Sequence, residues 1–284
     1  MSVRRPYVAG SFYPREPQRL RRDIENCFKH PLGPGTIPLK GVKPRTIIGI
    51  VCPHAGYIYS GPVAAHSYRA LSEEKAPETA IILCPNHTGL GSAVSLMGEG
   101  SWETPLGRLK IDSDLSNAIF KASGIIDIDE SAHVYEHSIE VQLPFLQYLY
   151  GSSISIVPIC MGFQDLETSR NIGEAVAKAV VERNVVVIAS TDMTHQEPQQ
   201  SATRKDKLVL DAIEAMDEEQ VQGVVQTNHI TMCGYGPVSA TLVASKRLGA
   251  NRAEILSYHT SGDITGDWGA VVGYASAKIT RAVQ

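Results

Sequence analysis

The sequence predicts an α/β domain with a central, mostly parallel or mixed β-sheet flanked by helices. Three observations carry that prediction. Apolar, β-rich runs alternate along the chain with stretches of helical period. Three of the runs, IIGIVCPHAG, AIILCPNHTG and VVVIASTDMTH, each reach a histidine within a few residues. Strands of one parallel sheet would bring His54, His87 and His195 to a common edge in this way. The last two runs, AEILSYH and WGAVVGYASAKI, can lie antiparallel at an edge.

Each element follows from local pattern. Leu20, Ile24 and Phe28 form a helix-like stripe within residues 14–30. A Pro/Gly loop leads to a first strand near 46–52, and Gly61-Pro62 opens a short helix through Leu71, with the proline in a tolerated first turn. A second strand spans 80–83. The stretch AVSLMGEGSWETPLGRLKID, punctuated by glycines and Pro105, reads as a small hairpin, and Ser113 or Asp114 caps the helix leading to Ile119 and Phe120. Residues 138–150 are helical with a kink or break at Pro144, and ISIVPICMGF supplies another strand. A long amphipathic helix over 165–184 feeds the strand at 185–190. Helices follow at 201–217 and 218–226, and a last one runs from CGYGP to Leu248. No repeat, low-complexity tract or long linker divides the chain, so residues 1–284 are read as one domain.

Composition narrows the function. A chain of 284 residues with 43% apolar content can bury a full core. A net charge of -4 provides no broad basic field, which argues against nucleic acid or an anionic membrane as partner and leaves small molecules or peptides. No apolar segment approaches the roughly 20 residues of a spanning helix, and the amino terminus has no signal-type apolar region, so a cytoplasmic location is expected. Five cysteines without a CxxC pair do not make a disulfide framework.

The strand-end residues point to a metal site. His54 and His87 both follow a Cys-Pro pair, and proline restricts where the next side chain can point. Neutral imidazole is a common metal ligand. Cys233 is the best third ligand, because it precedes a helix start whose positive dipole end favours thiolate. An alternative is a structural zinc held by Cys52, Cys84, His54 and His87. Asp192 and His195 can complete the coordination, orient ligands or move protons. Glu136, His137 and Glu140 form a second polar cluster at a helix start, from which His137 can reach the pocket. His133 and His137 have i, i+4 spacing, but the helix begins after them. Cys27 and Cys160 read as buried hydrophobes.

Taken together, VAGSFYP, CPHAGYIYSGP, CPNHTG, ETPLG, EHSIEVQLPFL, STDMTH and MCGYGP resemble the Memo family, whose archaeal and bacterial members are also called AmmeMemoRadiSam system protein B. The matches extend from near the amino terminus to the GAVVGYA segment. The resemblance implies a fold similar to class III extradiol dioxygenases of the LigB group. It places metal ligands on His54, His87 and Cys233, and neighbouring pocket residues on Asp192 and His195. It also implies iron or copper as cofactor and association with AMMECR-type and radical SAM proteins, while the thiolate's softness keeps zinc a further candidate.

Oxygenases with two histidines and a carboxylate hold Fe(II) with open positions. Here Cys233 takes the carboxylate's place, and a soft, oxidisable thiolate argues against ring cleavage by the usual route while leaving metal redox chemistry open. Two expectations follow. One is a metal-dependent oxidoreductase with His195 as acid/base, Asp192 orienting it and His137 nearby. The other is a binding module that recognises a peptide or small ligand in the same crevice without catalysis.

Overall fold

The computed structural model describes residues 2–39 and 41–282. Four strands run parallel at its centre: β1 (Ile47–Cys52), β2 (Thr79–Pro85), β3 (Ser155–Met161) and β4 (Val185–Ser190). Their spatial order is β1, β4, β2, β3. β1 and β2 are buried along their whole length, which explains why they read as continuous apolar runs rather than as alternating ones. Two long strands, β5 (Ala250–Thr260) and β6 (Val271–Arg281), pair antiparallel with each other, and β6 also pairs antiparallel with β1. On the far side Val94–Leu96 runs antiparallel to β3. The sheet is therefore mixed: parallel in the middle, and antiparallel where β6 joins β1 and where Val94–Leu96 joins β3.

Period-two alternation along the strands splits the core between the two faces. Ala80, Ile82 and Cys84 of β2 pack with α1 (Pro17–Lys29), α2 (Tyr57–Ser72) and α4 (Leu143–Tyr150). Ile81 and Leu83 turn the other way, toward α3 (Ser113–Ala122), α5 (Leu166–Ala179) and α8 (Tyr235–Arg247). Beside α8, α6 (Gln199–Glu214) and α7 (Glu218–Thr227) cover the β1–β6 end of that face. α1 buries Leu20, Ile24 and Phe28, the stripe that its sequence spacing predicts, together with Cys27.

Several boundaries differ from the sequence reading. α2 begins at Tyr57, so Pro62 lies inside the helix rather than in its first turn. The start is set by a distant partner: the Tyr57 N–H donates to the Phe12 carbonyl at 2.9 Å. Gly61 is no turn residue; a Cβ there would lie 2.4 Å from Cys27 Sγ, so glycine permits close packing of α1 on α2. The cap of α3 is Asp112, whose carboxylate accepts from the Leu115 N–H, not Ser113 or Asp114. Pro144 lies in the first turn of α4, where its missing N–H costs nothing, and so starts the helix instead of kinking it. α5 ends at Ala179, and Glu182 then takes a positive φ of 62° before β4. Among the described residues no helix is long and apolar enough to cross a membrane.

The topology positions the site. The chain leaves β1 through α2 on one face and returns to β4, between β1 and β2, through α5 on the other. The reversal opens the carboxyl-end edge, where the loops after β1, β2 and β4 meet.

Candidate metal centre

His54, His87 and Asp192 lie two residues beyond the ends of β1, β2 and β4. Cys233 reaches the same place from the loop before α8. There the Asp192 N–H donates to Cys233 Sγ at 3.2 Å, and the Gly234 N–H donates to Thr191 Oγ1 at 3.0 Å. The approach demands glycine at 234, since a Cβ would come within 2.7 Å of the Ser190 carbonyl oxygen. As a result ring nitrogens of His54 and His87 and the Cys233 sulfur lie within 4.8 Å of one another, with His54 Nε2 3.3 Å from Cys233 Sγ.

Each ligand candidate is held from behind. His54 Nδ1 bonds Ser190 Oγ at 3.0 Å, and the His54 N–H donates to Asp192 Oδ1 at 2.7 Å. His87 gives both its N–H (2.7 Å) and its Nδ1 (2.9 Å) to the two oxygens of Glu136. His137 joins the group: its ring lies 4.6 Å from that of His87 and 5.3 Å from that of His54. His87, Glu136 and His137 make a second set of converging donors.

The electrostatics follow from burial. His54 is held well below the usual imidazole range, first by burial and then by neighbouring His137 and His87. His137 falls to about 4, again chiefly by burial; Glu136 pulls the other way, and His87 adds to the lowering. Both rings are therefore neutral, the form that binds metal. Burial pushes Glu136 up, but the hydrogen bond and charge of His87 outweigh it and bring the carboxyl down to about 2. Asp192 rises to about 6 because burial outweighs the His54 N–H bond.

Cys233 corrects one expectation. It does precede a helix, but burial, with Asp192 adding to it, pushes its thiol up rather than down. The dipole of α8 does not overcome the desolvation of a thiolate, and a cation beside the sulfur would favour its ionised form.

The structure separates other residues from the cluster. Cys52 and Cys84 are fully buried in β1 and β2, which β4 keeps two strand spacings apart, roughly 9–10 Å. Neither joins the donor groups found among the described residues, so the zinc set of two cysteines and two histidines is not assembled. His133 bonds the Ser95 carbonyl through Nε2, away from His137. His195 is half-buried at the rim, and it is Thr231 that orients it, through its carbonyl to Nδ1 at 2.8 Å and its hydroxyl to the His195 N–H at 2.7 Å. The Asp192 carboxylate is turned inward under the His54 backbone and makes no hydrogen bond to His195.

A family model described as Memo-like protein matches residues 4–278. The chain belongs to the Memo family. A MEMO1 family protein of Methanopyrus kandleri is 53% identical over 280 residues, covering 98% of this chain and 99% of its own. One from Methanothermobacter thermautotrophicus is 55% identical over 275 residues, covering 96% and 99%. The crystal structure of an uncharacterized protein from Escherichia coli K12 matches with a TM-score of 0.55 at 14% identity, over 83% of this chain and 100% of that one. That likeness concerns the fold alone, and it is consistent with the LigB-like architecture that the sequence resemblance implied.

Some features of this Memo protein lay outside the sequence reading. Beyond their places in the STDMTH and EHSIEVQLPFL motifs, Ser190 and Gln142 carry no role in the sequence, yet Ser190 bonds His54 and Gln142 bonds Ser190 behind it. Glu140 proves to be an anchor for the amino-terminal segment: it pairs with Arg4 and accepts from the Tyr7 and Val8 N–H groups and the Tyr13 hydroxyl. That segment brings the Phe12 ring to 4.9 Å from His137, so it forms one wall of the site.

Proposed function

We propose that this Memo protein is a metal-dependent oxidoreductase whose iron or copper ion is held by His54, His87 and Cys233. The convergence of these two imidazoles and one sulfur within 4.8 Å carries the reading. The donor set fits such an ion. Imidazole suits iron and copper, thiolate favours copper or zinc, and the cation ionises a thiol that burial otherwise keeps protonated. When bound, the ion would supply one-electron chemistry and open positions for a small substrate.

The protein's own groups then divide the remaining work. Asp192 fixes the His54 backbone and the Cys233 sulfur at once. His195, with Nδ1 committed to Thr231, keeps Nε2 to take up or return a proton at the rim. His137 presents a second neutral imidazole beside His87. Phe12 shields that side from water. A small molecule or peptide is the expected ligand, and a cytoplasmic site of action suits an oxidisable thiolate.

Metal quantification after anaerobic purification without chelators tests the reading. The wild type should carry iron or copper, and the His54→Ala and Cys233→Ser variants should lose most of it. Equal loading in all three sinks the assignment, and a metal-loaded protein with no redox turnover leaves only the binding half.

A further inference from the structure

We propose that Ser190 is a positioning residue that fixes the proton of His54 on Nδ1 and so holds the Nε2 lone pair toward Cys233. Its consequence for metal affinity rests on the proposed ligand role of His54; the tautomer itself does not.

The proton count around Ser190 Oγ decides the matter. The hydroxyl lies 2.7 Å from the Ser138 carbonyl, which can only accept, so the single Ser190 proton goes there. The oxygen's lone pairs are left to accept. Gln142 Nε2, at 2.8 Å, supplies one donor. His54 Nδ1, at 3.0 Å, must supply the other, because an unprotonated Nδ1 would face an oxygen with no proton to share. The Gln142 amide cannot be reversed. Its Nε2 also donates to the Pro53 carbonyl at 3.0 Å, and its Oε1 accepts from the Tyr68 hydroxyl at 2.7 Å. Turned round, Oε1 would meet the Pro53 carbonyl as one acceptor against another. Ser190, Gln142 and Ser138 are all buried, so bulk water does not compete for these bonds.

With Nδ1 protonated, the one lone pair of the neutral His54 ring is on Nε2, 3.3 Å from Cys233 Sγ. Glu136 does the equivalent for His87 through a carboxylate that can only accept. Ser190 is the less obvious of the two, since a hydroxyl can donate or accept and only its other partners determine which.

Nitrogen-15 NMR of the imidazoles in metal-free protein reads the tautomer directly. In the wild type, His54 should show a protonated Nδ1 and a bare Nε2. Ser190→Ala should lose that preference, and Ser190→Thr, which keeps the hydroxyl, should restore it. A wild-type protein with the proton on Nε2 overturns the proposal without reference to any variant. In titrations with Cu(I) alone against a competing chelator, Ser190→Ala should bind ~10–100-fold more weakly and Ser190→Thr close to wild type. An alanine variant with unchanged tautomer and affinity also overturns it. If the wild type takes up no ion, the metal reading of the site fails while the tautomer result still decides the role of Ser190, so the two failures are separable.

Discussion

Asp192 and Cys233 are tied to each other twice: the Asp192 N–H donates to Cys233 Sγ at 3.2 Å, and the Cys233 N–H donates to the Asp192 carbonyl at 3.3 Å. The reciprocal pair joins the loop after β4 to the loop before α8. It places a sulfur from late in the chain beside histidines from its first third.

The sulfur is therefore expected to matter for the ion and little for the fold. Cys233→Ser should abolish most metal uptake while shifting unfolding stability by no more than about 1 kcal/mol. Cys52→Ala and Cys84→Ala should do the reverse. Both remove core atoms, at a cost of about 1–2 kcal/mol, and neither touches the donor cluster. Metal quantification and urea unfolding on the same preparations check both halves; metal loss in the Cys52 or Cys84 variants would revive a structural zinc.

Gly234 is predicted to be as demanding as any ligand. A methyl group there meets the Ser190 carbonyl and the Thr191 side chain at 2.7 Å, at the last residue of β4 and the one just beyond it. The loop carrying Cys233 must then move away from His54. Gly234→Ala should weaken Cu(I) binding at least ~10-fold with Cys233 intact, and titration against a chelator measures it. Unchanged affinity would mean that the loop adapts freely.

What could be read from the sequence depended on whether a signal was local. β1, β2 and β4 stood out because strands buried on both faces need unbroken apolar runs. His54, His87 and Asp192 followed from them by position alone. The start of α2 was missed because its first N–H is bound by Phe12, which no local pattern records. Cys233 does lie just before α8 and beside His54, but burial, a property of the fold that no local pattern records, pushes its thiol up against the helix dipole. The link from His195 to Thr231 spans 36 positions, and that from Arg4 to Glu140 spans 136. Neither leaves a spacing to detect.

The Arg4–Glu140 pair is buried on both sides, with side-chain exposures of 4% and 0%. Arg4 also donates to the carbonyls of His133 and Glu136, and its guanidinium lies 4.4 Å from the centroid of Trp102. Removing one charge strands the other. Arg4→Met should cost about 3–5 kcal/mol, whereas Arg4→Met combined with Glu140→Gln should cost less than the sum of the single changes. Additive losses in a double-mutant cycle of urea unfolding would show that the two charges do not depend on each other. Because the same segment carries Phe12 to His137, the single variant should also weaken metal binding.

Burial, with Arg4 adding to it, lowers His133 to about 4 from an ordinary value of 6.5, even though its bond to the Ser95 carbonyl favours the charged form. Between those two values the unfolded chain binds a proton that the folded protein refuses, so folding stability must rise with pH across the window. The contribution is fully present above 6.5 and is lost as pH falls toward about 4, a swing of about 3 kcal/mol at most. His133→Gln keeps a donor for the Ser95 carbonyl and removes the titration. The variant should be less stable than wild type by about 1 kcal/mol near neutral pH, and the gap should close or invert as the pH approaches about 4. Urea midpoints across that range decide it. Parallel curves for the two proteins would mean that His133 titrates alike in the folded and unfolded chain, which its burial beneath Trp102 forbids.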